Sequence, residues 1–198
     1  LQLDRLAKSL RKRRFEQGSV NFDRFEVRFE IDETGHPIDV YFKVSKDANK
    51  LVEEFMLLAN KQVAMEIGMV KGKKQPKPFV YRIHDNPDPD KMLNFSTIAH
   101  RFGYKVKIKG KRSDMNNSLN KMLSQVKGRP EENLLSILAI RSMAKAVYST
   151  VNVGHYGLAF DYYTHFTSPI RRYPDMMVHR LLDRYLNGGR AANQKKLE

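Results

Sequence analysis

One segment of the chain is more informative than any other, and it reads His155-Tyr-Gly-Leu-Ala-Phe-Asp-Tyr-Tyr-Thr-His165-Phe-Thr-Ser-Pro-Ile-Arg171-Arg172-Tyr-Pro-Asp175-Met-Met-Val-His179-Arg180. Ser followed by Pro is typical of a helix start, so Ser168 is predicted to be the N-cap and Pro169 the first helical residue. The first turn of a helix is already partly positive, which disfavours arginine there unless an anion binds beside it. Because guanidinium groups bind phosphate in a bidentate geometry, Arg171 and Arg172 indicate a phosphate site, with two solvated arginines as the alternative.

The charge of the whole chain supports a polyanionic partner. Its 198 residues carry 36 Lys and Arg against 22 Asp and Glu, a net charge of +14. The basic runs at 8–14, 71–77, 105–112 and 171–172 are separated by apolar segments. Several separated runs favour a basic groove over one solvated face, and nucleic acid is the expected ligand.

Composition also excludes some classes of protein. No apolar run is long enough to span a bilayer, and no basic helix with a strongly apolar face is present, so no membrane association is predicted. The chain has no cysteine, which excludes disulfides and cysteine-bound zinc and favours the reducing cytoplasm. No pattern in the sequence indicates an oligomeric state.

Hydrophobic periodicity predicts an α+β fold. Amphipathic patterns predict helices over 1–15, 47–67, 92–102, 118–126, 130–148 and 169–186, the last with an irregular alternative up to Pro174. Alternating patterns predict strands over 25–31, 38–44, 79–83, 104–109 and 155–163, the first two joined as a hairpin. Helices and hairpins that do not alternate regularly are typical of α+β domains of this size.

Residues 155–180 closely resemble the signature of the RNB family of exoribonucleases, the ribonuclease II and ribonuclease R type. Two weaker blocks, 51–60 and 81–84, follow the family's order, so the resemblance covers essentially the whole chain and is strongest to the ribonuclease R branch. It implies a curved mixed and antiparallel sheet wrapped by helices around a narrow RNA channel. Single-stranded RNA is therefore the expected partner.

The resemblance also implies roles for the residues of the Ser-Pro-Ile-Arg-Arg motif. Arg171 matches the arginine that faces the scissile phosphate and stabilises charge in the transition state, so it is the expected catalytic residue. Arg172 is expected at neighbouring phosphates. Thr167 and Ser168 either donate to phosphate or only cap the helix.

Two adjacent glutamates, Glu53 and Glu54, stand about 100° apart on the predicted helix and cannot share one task. Surface charge is the ordinary role of glutamate. The family resemblance places Glu53 at the sugar of the 3′-terminal nucleotide, where a carboxylate that accepts from the 2′-hydroxyl helps to distinguish RNA from DNA. Glu54 has no assigned role.

Aromatic and imidazole side chains complete the expected RNA surface. An isolated Phe is most often a core residue, but the family has a base-stacking aromatic close to Phe22, with Phe25 as a rival for the same role. The histidines of the signature segment have no convincing metal spacing. They are expected to be structural, with His165 or Tyr156 close to RNA.

Metal ligands are the missing part of the expected site. Two-metal phosphodiester hydrolysis needs clustered carboxylates, and the RNB family supplies them as an Ile-Asp…Asp-x-Asp-Asp-Ala pattern that does not occur here. The Pro-rich turn at 84–90 lacks the glycine and glutamate of an EF-hand loop. No metal site is therefore predicted in this chain, and Mg²⁺ is expected on carboxylates elsewhere in a longer parent protein.

The resemblance thus implies a piece of a processive 3′→5′ exoribonuclease that hydrolyses single-stranded RNA to nucleoside 5′-monophosphates. Residues 1–196 would be the later part of the catalytic domain, residues 197–198 a vector remnant, and the piece alone would be inactive. The alternative is a non-catalytic RNA-binding or scaffold module with the same fold. A sequence-specific DNA-binding domain is less favoured, because no helix-turn-helix or zinc-finger pattern is present.

Overall fold

The computed structural model describes residues 2–21, 26–43, 45–70 and 75–197, with the side chains of residues 26 and 42 excepted. Within these ranges the α-helices are α1 (Gln2–Glu16), α2 (Asp47–Gly68), α3 (Pro89–Arg101), α4 (Arg112–Val126), α5 (Glu132–Ser142) and α6 (Tyr173–Leu186). The strands are β1 (Glu26–Ile31), β2 (Pro37–Lys43), β3 (Tyr81–Ile83) and β4 (Val147–Ser149), and 3₁₀ turns span Tyr156–Leu158 and Gln194–Lys196. None of the helices in these ranges is long and apolar enough to cross a membrane.

The architecture is α+β, as predicted from the sequence. Its strands form two separate antiparallel sheets of two strands each, β1 with β2 and β3 with β4. Phe29 is opposite Val40 in the first sheet, and Arg82 is opposite Tyr148 in the second. Because the sheets are small, the helices supply most of the buried surface.

Two apolar clusters form most of the core. The first lies mainly among α3, α4 and α5 and contains Val20, Met92, Phe95, Ala99, Tyr104, Leu119, Met122, Val126, Leu135, Ala139 and Tyr156. The second joins α2, β3 and α6 and contains Ala64, Ile67, Phe79, Val80, Tyr81, Val178, Leu181 and Tyr185. Leu197, which the sequence reading left out of the fold, packs against the second cluster as a partly buried side chain.

A buried ion pair joins α1 to α2. Arg14 donates from Nη2 to Glu54 Oε1 and from Nε to Glu54 Oε2, the second at 3.3 Å. The two side chains are only 7% and 3% exposed. Arg14 Nη1 also donates to Ser19 Oγ at 2.8 Å, and this hydroxyl donates to the carbonyl oxygen of Gly157 at 3.1 Å. Glu54 is therefore a structural residue, and the pair connects α1 and α2 with the signature segment.

The strand predicted over 104–109 does not form. Its backbone groups bond instead to nearby side chains: the Lys107 N–H donates to Ser118 Oγ at 2.9 Å, and the Ser96 hydroxyl donates to the Val106 carbonyl oxygen at 3.3 Å. Alternate side chains still pack on the first cluster, which explains why the sequence resembles a strand.

The strand predicted over 155–163 is also wrong. The segment makes isolated bridges and a 3₁₀ turn, after which Ala159 has a φ of 55°. A positive φ interrupts the extended backbone that a strand needs. Among the helices, the one predicted over 130–148 ends at Ser142, because residues 147–149 pair with β3 as β4 instead.

The β1–β2 hairpin is confirmed, and it projects from the rest of the described chain. Every described side chain of both strands is exposed. One face of the ribbon is apolar and includes Val27, Phe29 and Val40, which are 47%, 60% and 51% exposed. An isolated two-stranded ribbon is at best marginally stable in water, so this face is suited to contact with another surface.

Candidate functional site

The signature segment 155–180 forms a folded loop that leads into α6. Asn60 on α2 anchors it: this side chain is 3% exposed, donates to the Tyr163 hydroxyl at 3.2 Å and accepts from the Phe166 N–H at 2.9 Å. On the other side, His179 of α6 bonds to the Phe166 carbonyl oxygen at 2.8 Å and stacks on its ring at 4.0 Å. Polar side chains from both helices therefore hold the loop in place.

A cleft of about 320 Å³ lies between α2 and this loop. It brings together two predicted site residues, Glu53 from α2 and Arg172 from the loop. The remaining lining is Asn49, Val52, Met56, Leu57, Asn60 and Tyr163. The Glu53 side chain is 53% exposed, and its Oε1 lies 3.9 Å from Arg14 Nη2, so the carboxylate is open to solvent while one edge of it faces a buried guanidinium. A cavity of this size, with apolar walls and one charge of each sign, suits a ligand that offers hydroxyl groups to the carboxylate and an anion to the guanidinium.

Arg171 and Arg172 both precede α6, which begins at Tyr173. The prediction that Ser168 caps this helix is wrong, because residues 168–172 form a separate turn. In that turn the N–H groups of both arginines donate to the Ser168 carbonyl oxygen, at 3.3 and 3.1 Å. The side chain of Arg172 lines the cleft, whereas that of Arg171 is exposed and donates to Ser168 Oγ at 3.4 Å. The two arginines therefore present separate cationic groups from one turn.

Asp175 sets the geometry of this turn. It is fully buried, and its Oδ2 accepts from the Ser168 N–H at 2.8 Å and from Arg172 Nη2 at 2.7 Å. Three other buried atoms of this region, Asp175 Oδ1, Arg172 Nε and Thr167 Oγ1, have no hydrogen-bond partner among the described residues. Buried polar atoms are nearly always paired, so these groups are available to water or to a ligand at the cleft.

Two histidines of the signature segment, His155 and His165, are neutral at pH 7. Burial, and then the charges of His84 and Arg82, lower the pKa of His155 to about 3. Burial, and then Arg172, lower the pKa of His165 to about 4. The Tyr148 hydroxyl lies 2.7 Å from His165 Nδ1. His165 can therefore act as a neutral hydrogen-bonding group near the arginines, and the guanidinium groups carry the positive charge of this region.

The other predicted RNA contacts have different outcomes. Tyr156 is 4% exposed and belongs to the first core cluster, so its ring is a packing group. Phe22 and its rival Phe25 lie outside the described residues. Thr167 and Ser168 lie in the turn that holds the two arginines, and their predicted contact with phosphate stays a prediction.

No metal centre is found within residues 2–21, 26–43, 45–70 and 75–197, because no three His, Asp or Glu side chains there are grouped so that they could hold an ion. In the acidic turn before α3, Asp88 caps the helix by accepting from the N–H groups of Asp90 and Lys91. The described residues therefore do not fit a Mg²⁺ site, and no reaction step is assigned to a metal on them.

The chain that carries this site matches a known protein family. Residues 1–188 match the RNB domain. The chain belongs to the RNB family. This confirms the resemblance carried by the signature segment, and Arg171, Arg172 and Glu53 all lie within the matched residues.

Individual relatives agree with this family. The chain is 40% identical over 195 residues to ribonuclease R of Aquifex aeolicus, covering 98% of this chain and 27% of that protein. It is 42% identical over 182 residues to ribonuclease R of Thermotoga maritima, covering 91% of this chain and 25% of that protein. The chain thus spans about a quarter of the length of these relatives.

A solved structure shares the fold. The apo form of Mycoplasma genitalium RNase R matches with a TM-score of 0.81 and 28% identity, covering 93% of this chain and 28% of that one. The same enzyme in complex with ribose-methylated single-stranded RNA matches with a TM-score of 0.80 over the same shares. The observed arrangement of helices and sheets is therefore that of a segment of RNase R.

Sequence reasoning missed two residues that shape the site. Asn60 stands seven residues after Glu53, so both lie on one helix face, and a polar residue at this spacing from a candidate ligand is a usable signal. Asp175 gives no such signal, because an Asp near a helix start is usually a solvated cap. Its complete burial could not be inferred without the turn that encloses it.

Proposed function

We propose that this chain is the later part, residues 1–196, of the catalytic domain of a processive 3′→5′ exoribonuclease that hydrolyses single-stranded RNA to nucleoside 5′-monophosphates in the cytoplasm. The observation that carries the proposal is the cleft in which Glu53 and Arg172 meet, in a chain of the RNB family. The carboxylate accepts from the sugar hydroxyls of the terminal nucleotide, and the guanidinium donates to its phosphate.

Arg171 is proposed as the catalytic residue. Its guanidinium is exposed at the turn beside the cleft and is held by one long bond to Ser168 Oγ, so it can reach a phosphate placed there. A donor aimed at charge that develops on a phosphoryl group lowers the barrier more than it strengthens substrate binding. Arg172, already bonded to Asp175, is proposed to fix a neighbouring phosphate. Phe22 is proposed to stack on the terminal base.

Magnesium is proposed to be bound by carboxylates of the parent enzyme outside this chain. It would supply the nucleophile and neutralise charge on the phosphate. The chain alone is therefore expected to bind single-stranded RNA without cleaving it.

The test compares Arg171→Ala and Arg172→Ala in the full-length enzyme, on a 5′-labelled single-stranded RNA with Mg²⁺. We expect Arg171→Ala to lower single-turnover cleavage by about 10²- to 10³-fold while the Kd changes little. Arg172→Ala should raise the Kd and also lower stability, because it leaves the buried Asp175 unpaired. Normal turnover on bound RNA with a collapsed affinity would make Arg171 a binding residue and contradict its catalytic role.

The role of Glu53 has its own test. Glu53→Gln should reduce the preference for an RNA oligonucleotide over a DNA oligonucleotide of the same sequence, because a carboxylate is the stronger acceptor for a 2′-hydroxyl. Glu66→Gln on the same helix is a matched control, since Glu66 does not line the cleft. Equal preference in both variants would remove Glu53 from the sugar site.

A further inference from the structure

A second cationic group lies next to the cleft, on the β3–β4 sheet. Arg82 is opposite Tyr148 in this sheet, and its guanidinium carbon lies 4.7 Å from the centre of the Tyr148 ring. Among the residues that the structure describes, no carboxylate lies within 4.0 Å of this guanidinium. Arg82 is therefore a half-buried cation whose neighbour is an aromatic ring and not a counter-ion.

The stacked geometry leaves the hydrogen-bonding edge of Arg82 unused. A guanidinium that packs on an aromatic ring uses its flat face, whereas its N–H donors point outward in the plane of the group. Within the described part of the chain, no hydrogen bond from the Arg82 side chain engages these donors, whereas its backbone N–H donates to the Tyr163 carbonyl oxygen at 2.9 Å. The planar fork is thus oriented and available for a bidentate anion.

A continuous series of ring contacts connects Arg82 to the cleft. Tyr163 lines the cleft, and its ring centre lies 5.7 Å from that of His165. His165 in turn contacts Tyr148, with ring centres 5.5 Å apart and a hydrogen bond of 2.7 Å. Arg82 packs on Tyr148, which is the ring of this series farthest from the cleft. The cation is therefore held by packed rings at a fixed position relative to the cleft.

The groups around Arg82 do not neutralise it. Its positive charge contributes, after burial, to the lowered pKa of His84, His155 and His165. His155 and His165 are neutral at pH 7, so they do not repel an anion that approaches Arg82, and they carry no negative charge that would pair with its guanidinium. Tyr148 is 37% exposed, which leaves this side of the sheet open to a ligand.

We infer that Arg82, supported by Tyr148 and His165, forms a phosphate-binding subsite for the RNA backbone next to the Glu53–Arg172 cleft. This inference rests on the proposed function, because the ligand is the same single-stranded chain whose terminal nucleotide enters the cleft. The subsite binds one internal phosphodiester, and it contributes affinity without reading the base or the sugar.

The experiment measures binding of the purified 198-residue chain to a fluorescent single-stranded RNA ten-mer by anisotropy, from 50 to 300 mM salt. Each phosphate contact contributes about 0.7 to the slope of log K against log salt for a single strand. We therefore expect Arg82→Ala to lower that slope by about 0.7 and to raise the Kd at low salt by about tenfold. A DNA ten-mer should lose the same amount, because a phosphate contact does not involve the 2′-hydroxyl.

Two control variants separate this role from a structural one. Arg101→Ala removes an exposed arginine from the end of α3 and matches the change in net charge; it should leave the slope within experimental error. Arg82→Lys keeps a cation but not the planar fork, so it should restore the slope while the Kd stays weaker than in the wild type. Thermal melting of each variant reports any loss of the cross-strand pair.

The outcomes distinguish this inference from the proposed function. If the wild-type chain binds RNA with a clear salt dependence and Arg82→Ala has the same slope as Arg101→Ala, the Arg82 subsite is overturned and RNA binding stands. If Arg82→Ala and Arg82→Lys melt lower but retain the wild-type slope, Arg82 is only a cross-strand packing residue. If the wild-type chain does not bind single-stranded RNA, both proposals fail.

Discussion

Replacing Glu54 with Gln should destabilise the protein far more than the same replacement at a surface glutamate. The variant keeps the shape of the side chain but leaves the Arg14 guanidinium buried beside a neutral amide. Removing one partner of a buried pair costs about 3 to 5 kcal/mol when the remaining charge is uncompensated. Here Glu53 Oε1 still lies 3.9 Å from Arg14 Nη2 and offsets part of that cost. Since Ser19 Oγ still accepts from Arg14 at 2.8 Å and the new amide oxygen can accept one bond, we expect a loss near 3 kcal/mol.

The same α1 helix offers a matched control. Lys12 and Glu16 form an ion pair at 3.9 Å, with side chains 79% and 60% exposed, so Glu16→Gln should cost less than about 0.5 kcal/mol. Urea unfolding followed by circular dichroism gives both values. In thermal melts, a loss of 3 kcal/mol corresponds to roughly 6 to 12 °C for a chain of this size.

A double variant tests the reason for the effect. Arg14→Met combined with Glu54→Leu removes both charges and replaces them with apolar side chains, so it should recover most of the stability that Glu54→Gln loses. Equal midpoints for Glu54→Gln and Glu16→Gln would refute the buried-pair argument. A double variant as unstable as Glu54→Gln would show that the hydrogen-bond geometry of the pair, and not an unpaired charge, stabilises the α1–α2 contact.

Three further predictions concern the loop and its neighbours. Because His165 has a pKa lowered from an unfolded value near 6.5 to about 4, the unfolded chain binds a proton that the native chain does not. The stability contributed by neutral His165 is therefore complete above pH 6.5 and is lost as the pH falls, and after a discount for solvent screening of this half-exposed ring the loss is about 1 kcal/mol at pH 5. Urea midpoints at both pH values should show His165→Asn losing this part of the pH dependence. Asn60→Ala leaves the Phe166 N–H and the Tyr163 hydroxyl without their partner and should cost about 2 kcal/mol in urea unfolding, whereas an unchanged midpoint would show that water replaces both bonds. Gly68→Ala places a methyl group 2.7 Å from a ring carbon of Tyr162 and 2.7 Å from the hydroxyl oxygen of Tyr81, and it should lower stability by about 1 to 3 kcal/mol in the same assay. A stable variant would mean that these two side chains move at little cost.

The sequence predicted those parts of the fold in which local pattern and tertiary environment agree. The β1–β2 hairpin and α2 have clear periods of 2 and 3.6 residues, and both are present. The segment 104–109 has the alternation of a strand, but Ser118 and Ser96 satisfy its backbone in place of a neighbouring strand. Such bonds join residues distant along the chain, and periodicity contains no information about them.

The site was predictable to a similar extent. Glu53 and Arg172 were named from the resemblance, and the structure brings them to one cleft. The motif predicted a helix start at Ser168, whereas the fully buried Asp175 organises a turn there and α6 begins later. Burial of an acidic side chain next to an arginine depends on packing from α2 and α6, which no single-sequence pattern reports.

The apolar face of the β1–β2 ribbon has a consequence for the behaviour of this chain in solution. At low ionic strength the net charge of +14 keeps two molecules apart, because like charges repel over the Debye length. Added salt screens that repulsion but does not weaken attraction between the exposed faces that carry Phe29 and Val40. We therefore expect added salt to increase self-association of the chain while it lowers the affinity for nucleic acid. The high-salt buffers that release nucleic acid during purification are those in which the protein begins to associate with itself.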